Sequence, residues 1–291
     1  MFDPSLIVEG VISGLLIGGV YSLLAIGLTI IFGVLGVINF AHGELMMIAM
    51  YVTLVISNSF QVQPYFAFFL VLPLLFLFGV FIQKFLIQPV LDAPPDIQVL
   101  ITLGLSIALQ NIALLIWGPN YQSLQVSRNQ SVIHFLGYVV SVPRLLAFIG
   151  ALTVSGLLLV FLKKSNLGKA IRACADNREG ALLIGIRVER VFLVTFGIGA
   201  ACAGVAGVFI MPFFYTSPHI GLTFILISFV VAILGGLGKI EGALVGGLII
   251  GVVESLGGIL ADESIKQIIT FSLFIIILFF KPSGLFGKKL R

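Results

Sequence analysis

The sequence predicts an all-α polytopic membrane protein, a bundle of eight to ten transmembrane helices with nine favoured. Three observations carry this. Of the 291 residues, 59% are hydrophobic and 10% charged, against ~45–50% and ~25% in a soluble domain. No formal charge interrupts Gly10 to Gly43, a run longer than the ~20 apolar residues that cross a bilayer as helix. Glycine is abundant, with 33 residues, many inside apolar runs where small side chains let helices approach closely. At ~30 residues per crossing and connection, the chain holds at most about ten spans and no globular domain. Soluble machinery is therefore expected on other chains.

Apolar runs bounded by charges and Pro/Gly clusters place the crossings in order. They are Val11–Val34, Leu45–Phe60, Tyr65–Phe81, Val99–Trp117, Leu145–Leu162, Val191–Phe213, Ile220–Leu234, Ala243–Leu260 and Ile265–Phe280, the second and seventh being short. The start has no basic region and its apolar run is too long for a signal-peptide core, so the first span is expected to stay. The pairs Gly14/Gly18, Gly242/Gly246 and Gly247/Gly251 have GxxxG spacing and predict close helix packing. Cys174, in a basic loop, and Cys202, in an apolar run, are expected at different depths and read as separate structural thiols.

Orientation follows from the cations. With the amino terminus outside and the carboxyl terminus cytoplasmic, thirteen of the 16 Lys and Arg residues fall inside, as the positive-inside rule requires. Only Arg128, Arg144 and Lys266 remain outside. The polar connection 118–143 is then external, an inert loop or a lid that meets an extracytoplasmic partner. The connection 163–190 is cytoplasmic.

Two breaks are candidates for a solute path. Asn39, His42, Gly43 and Glu44 form the first polar cluster after an unbroken apolar helix, and Gly235 and Gly236 begin a glycine-rich break after the short seventh run. Paired short, interrupted helices are the best sequence pointer to a transport site. The alternative for the first cluster is capping, with Asn39 satisfying free amides and Glu44 favouring the positive end of the second helix. Glu254 lies within the eighth run; a carboxylate at membrane depth is costly and a functional candidate by default. The alternative is a hydrogen bond to a neighbouring helix, and its partner is not evident. His42 is no metal site, because His134 and His219 are expected on the opposite side. No cofactor is expected.

Segment 163–190 alternates cations with Ile171, Ala173, Ala181, Leu182, Leu183 and Ile184, the pattern of an amphipathic helix beside the membrane. It would either lie on anionic lipid or dock in a groove of a cytoplasmic partner.

Three stretches resemble a known family. GVINFAHGE (Gly36 to Glu44), RACADNREGALLIGIRVERVFLVTFGIGAACAGVAGV (Arg172 to Val208) and VVAILGGLGKIEGALVGGLIIGVVES (Val230 to Ser255) are similar to the permeases of bacterial branched-chain amino acid ABC importers, in particular their H-type membrane subunit. Glu179, Ala181 and Gly185 fit the EAA-xxx-G loop through which such permeases contact their ATPases, and Gly180 stands where the loop has alanine. The resemblance implies a multi-pass protein of the bacterial inner membrane acting in a five-component importer. An extracytoplasmic solute-binding protein would deliver Leu, Ile or Val to a heterodimer of two related permeases driven by two cytoplasmic ATP-binding subunits. Arg172, Arg178, Glu179, Ala181 and Gly185 would form the ATPase-coupling element. The chain itself is not expected to be an enzyme. Gly168-Lys169 precedes Ala170 and Gly238-Lys239 precedes Ile240, so neither completes a phosphate-cradling loop. Membrane lipid is an expected partner and nucleic acid is not. Related permeases for urea, short amides or other amino acids are the near rival, and a stand-alone secondary transporter the distant one.

Overall fold

The computed structural model describes residues 4–124, 132–135, 138–260 and 263–287. Arg128 and the terminal cations Lys288, Lys289 and Arg291 lie outside the described residues. Eleven helices follow one another among the described residues: α1 (Pro4–Leu35), α2 (His42–Phe60), α3 (Phe68–Ile82), α4 (Pro95–Trp117), α5 (Val142–Lys164), α6 (Asn166–Asp176), α7 (Arg178–Leu183), α8 (Val188–Ile210), α9 (Ile220–Gly235), α10 (Ile240–Leu260) and α11 (Glu263–Phe280). Short 3₁₀ and π turns extend α3 into one rod from Pro64 to Val90. All nine apolar runs of the sequence coincide with helices.

Seven of these helices are long and apolar enough to cross a membrane. The second run is not short as expected: α2 starts at His42 and has 19 residues. Asn39 Oδ1 accepts a hydrogen bond from the Ala41 amide at 3.1 Å, which lets the helix begin ahead of Leu45. α9 does remain short, 16 residues, about 24 Å at ~1.5 Å per residue against a ~30 Å hydrocarbon core.

Two other features depart from the sequence reading. The 118–143 connection contains an antiparallel hairpin, β1 (Val132–Phe135) paired with β2 (Tyr138–Ser141). Its β-branched and aromatic residues favour strand, a local exception in a chain whose described residues are otherwise all-α. Segment 163–190 is two helices rather than one, α6 and α7, divided at Asn177, whose extended backbone (φ −156°, ψ 104°) ends the first and whose side chain caps the second.

The bundle is built around α1 and α8. In each, 83% of the most apolar stretch is buried, whereas in α4 and α5 the figure is 22%, so the first pair is central and the second peripheral. α1 and α10 run antiparallel along most of their length, and glycine sets their separation. A Cβ on Gly14 would sit 2.6 Å from the Gly251 carbonyl oxygen, and one on Gly18 would sit 2.8 Å from that of Gly247. The predicted packing role of these pairs is therefore met by backbone-to-backbone contact.

The polar contacts sort to two ends. At the hairpin end, the Val139 amide donates to Glu9 Oε1 at 3.2 Å, Arg144 hydrogen-bonds Ser13, and Gln122 bridges to Thr216. At the other end, Lys163 pairs with Glu241 at 3.4 Å and Arg178 with Asp92 at 2.9 Å, and Gly33 of α1 abuts Gly238.

Candidate functional site

The chain leaves α1 at Gly36 in a left-handed turn (φ +71°) that suits glycine and folds back along the helix it has just left. Thr102 Oγ1 of α4 donates to the Ile38 carbonyl at 3.0 Å. His42, the first residue of α2, lies 3.0 Å from the carbonyl oxygen of Leu24, 11 residues and about 16 Å before α1 ends. α2 therefore starts inside the bundle. A carbonyl only accepts, so Nε2 carries the proton and Nδ1 is left as an acceptor.

α9 starts at the same place from the opposite direction. Its first turn is packed on α2, where a Cβ on Gly43 would overlap the Gly221 carbonyl and one on Gly221 would overlap the Glu44 carboxylate. Phe224 meets Tyr21 of α1 edge-on at 6.5 Å. Two helix N-termini thus lie side by side within the bundle, and their free amides and dipoles create a positive region. Glu44, in the first turn of α2, places its carboxyl group there.

Asn39, His42 and Glu44 are all fully buried. Glu44 Oε1 accepts from Gln110 Nε2 at 2.7 Å and from Ser106 Oγ at 3.1 Å, both on α4. Glu44 Oε2, His42 Nδ1 and Asn39 Nδ2 have no hydrogen-bond partner in the structure. An unsatisfied buried polar atom costs about 1–3 kcal/mol, and three in one segment exceed what capping requires. Asn39 Oδ1 is used in the turn ahead of α2, where it accepts from the Ala41 amide, but its amide nitrogen is left over.

The other predicted path residues lie elsewhere. Gly235 and Gly236 are at the far end of α9 from Gly221, about 21 Å along the helix axis. There a Cβ on Gly236 would come within 2.8 Å of the Gly287 amide, and the Leu285 and Phe286 amides donate to the carbonyls of Leu234 and Gly235. Glu254 has the partner that its sequence context left open: Lys266 Nζ of α11, 2.8 Å from Oε1. Sequence reading missed Ser106 and Gln110. They are polar residues one helical turn apart in an apolar run, which was the signal for a polar face turned inward.

At the opposite end of the bundle, Ser165 caps α6 and Asn177 caps α7, through Gly168 N at 2.8 Å and Gly180 N at 2.9 Å. Ile171, Cys174 and Ala181 face inward, and burial raises the Cys174 thiol pKa. Leu182, Leu183 and Ile184 are 54%, 88% and 74% exposed. α7 ends at Gly185 (φ +83°), where the Ile186 amide returns to the Ala181 carbonyl at 3.0 Å, a glycine-terminated helix end. Arg178 bonds Asp92 in the α3–α4 connection and lies over the Phe192 ring of α8, 5.4 Å from its centroid. Arg172 donates to the Lys163 carbonyl at 3.3 Å, and Glu179 is exposed.

Apolar helices broken inside a bundle, with polar side chains gathered at the break and an exposed apolar turn on two short helices at one end, define a membrane permease. The chain belongs to the family described as branched-chain amino acid transport system / permease component, which matches residues 10–278. It is 34% identical to the high-affinity branched-chain amino acid transport system permease protein LivH of Escherichia coli K12 over 95% of this chain and 94% of that one. The corresponding BraD protein of Pseudomonas aeruginosa is 32% identical over 96% and 95%. The D-allose transport system permease protein AlsC of Escherichia coli K12 is 30% identical over 58% and 53%. No solved structure matches.

Proposed function

We propose that the chain is the permease subunit of an ATP-driven importer that moves Leu, Ile and Val across the bacterial inner membrane by alternating access. Residues 1–291 form a single permease domain of nine crossings, with the amino terminus and loop 118–143 outside and the carboxyl terminus and coupling loop 163–190 in the cytoplasm. The meeting of the α2 and α9 N-termini at Glu44 and Gly221 carries the reading: two helices that start inside the bundle and run in opposite directions from one point form a natural hinge between outward and inward paths. Asn39, His42, Gly43 and Glu44 border the path, with Glu254 towards its outer mouth and Gly235 and Gly236 at its inner end.

The partners are a second homologous permease, an extracytoplasmic solute-binding protein, two ATP-binding subunits and the surrounding lipid. Leu182, Leu183 and Ile184 are the apolar face offered to an ATP-binding subunit. Arg172, Arg178, Glu179, Ala181 and Gly185 shape and position it, and ATP hydrolysis takes place on that subunit. Motion of α7 reaches α4 through the Arg178–Asp92 bond and α8 through Phe192.

Cells lacking this chain should lose uptake of labelled leucine at low external concentration and regain it on complementation. Undiminished leucine uptake with loss of D-allose uptake would transfer the reading to a sugar permease.

A further inference from the structure

α1, α9, α10 and α11, with the chain entering α9, line a partly open cavity of about 310 Å³ towards the hairpin end. It lies on the other side of α9 from the Glu44 cluster: Thr223 and Leu226 line it, whereas Gly221 faces Glu44. Its wall is divided. Phe224, Ile227 and Phe271 make an apolar part, while Glu254 and Lys266 make a charged part, with Thr223 on α9 exposed beside them.

The ion pair is out of place as a device for stability. Its side chains are 14% and 22% exposed, and desolvating two charges offsets most of their attraction, so an apolar pair of similar volume would hold α10 to α11 at least as well. The pair also leaves Glu254 Oε2 buried with no hydrogen-bond partner. A carboxylate with a spare acceptor and an ammonium beside it, against a branched and aromatic wall, is the complement of a free α-amino acid. Such a solute carries an ammonium, a carboxylate and an aliphatic group on a single carbon, and no net charge. On entry its ammonium would face the Glu254 carboxylate and its carboxylate the Lys266 ammonium.

We propose that this cavity is a transit subsite for a zwitterionic α-amino acid with an aliphatic side chain, in which Glu254 and Lys266 open their pair to take the ammonium and the carboxylate. The inference rests on the import reading above and adds to it the groups that hold the solute between the binding protein and the Glu44 junction.

The test uses the complete importer in phosphatidylcholine vesicles, with Thr223→Cys as a reporter that leaves both charges in place. Leucine should slow maleimide labelling of this cysteine by a factor of one plus the ratio of its concentration to Kd, about tenfold when its concentration is about nine times Kd. Glu254→Gln and Lys266→Gln should each abolish that protection, and the exchange Glu254→Lys with Lys266→Glu should not restore it. Three results would overturn the subsite: no protection in an importer that still transports leucine, full protection after the charge exchange, or protection by added phosphatidylethanolamine and not by leucine, which makes the cavity a lipid-headgroup site. An importer that moves none of the three amino acids overturns the import reading instead, so the two failures are distinct.

Discussion

The Glu44 carboxylate lies so close to the Cα of Gly221 that a methyl group there would overlap it. With the seat of Gly43 on the Gly221 carbonyl it joins α2 to α9, and a methyl group at position 221 would push the Glu44 carboxyl away from its Ser106 and Gln110 donors. Gly221→Ala should therefore separate the two helix starts, costing about 1–3 kcal/mol as overpacking. A lower Tm of the purified complex together with loss of leucine uptake would establish it, and a wild-type Tm would refute it.

Glu44→Gln and Glu44→Leu should differ. Glutamine keeps a carbonyl oxygen for Ser106 and Gln110, while leucine leaves both donors buried without an acceptor at about 1–3 kcal/mol. Denaturation midpoints of the two variants should therefore fall in the order wild type, Gln, Leu. Equal midpoints would mean that the two α4 donors find other partners.

Leu183 is 88% exposed, so Leu183→Asp should change stability by no more than ~0.5 kcal/mol. The same change puts a charge in the middle of the apolar face of α7, and co-purification with the ATP-binding subunit should drop sharply. Retained co-purification would remove α7 from the docking surface.

Gly180→Ala should be accepted. A Cβ there meets the exposed Asn177 side chain at 3.3 Å, which can shift by a few tenths of an ångström, and alanine in a helix is favoured over glycine by ~0.5–1 kcal/mol. Thermal unfolding should move up or stay level with leucine-stimulated ATP hydrolysis intact. A loss of stimulation would mean that the glycine itself is needed for docking.

Cys174 is buried and its thiol pKa is raised by desolvation, which lowers the thiolate fraction at neutral pH. The native chain should react slowly with maleimide at pH 7, faster as pH rises, and quickly once unfolded. Rapid labelling at pH 7 would show that α6 lifts from the bundle.

Much of this protein is legible along the chain. Apolar runs with at most one charge mark the candidate membrane helices because lipid excludes unsatisfied backbone and disfavours charge, a constraint that acts residue by residue. The glycine pairs of α1 and α10 could be read as packing sites because GxxxG spacing places two small residues on one helix face. α2 starts three residues ahead of the apolar run, because charge and hydropathy say nothing about the turn at Asn39 and Ala41 that precedes it. The hairpin escaped notice because its strands are four residues each, too short for alternation to stand out.

The sequence by itself determined the class, the helix order and which residues are too polar for lipid. Only the tertiary structure decided which of them meet. Asn39, His42 and Glu44 converge with Ser106, Gln110 and Gly221 because α2 and α9 both begin inside the bundle. Glu254 finds Lys266 because α10 and α11 form an antiparallel pair, while Gly235 and Gly236 end up at the other end of α9. The reason is physical. Hydropathy reports the transfer of each residue into lipid, a local quantity, whereas the depth at which a broken helix restarts depends on backbone contacts between glycines far apart in the chain.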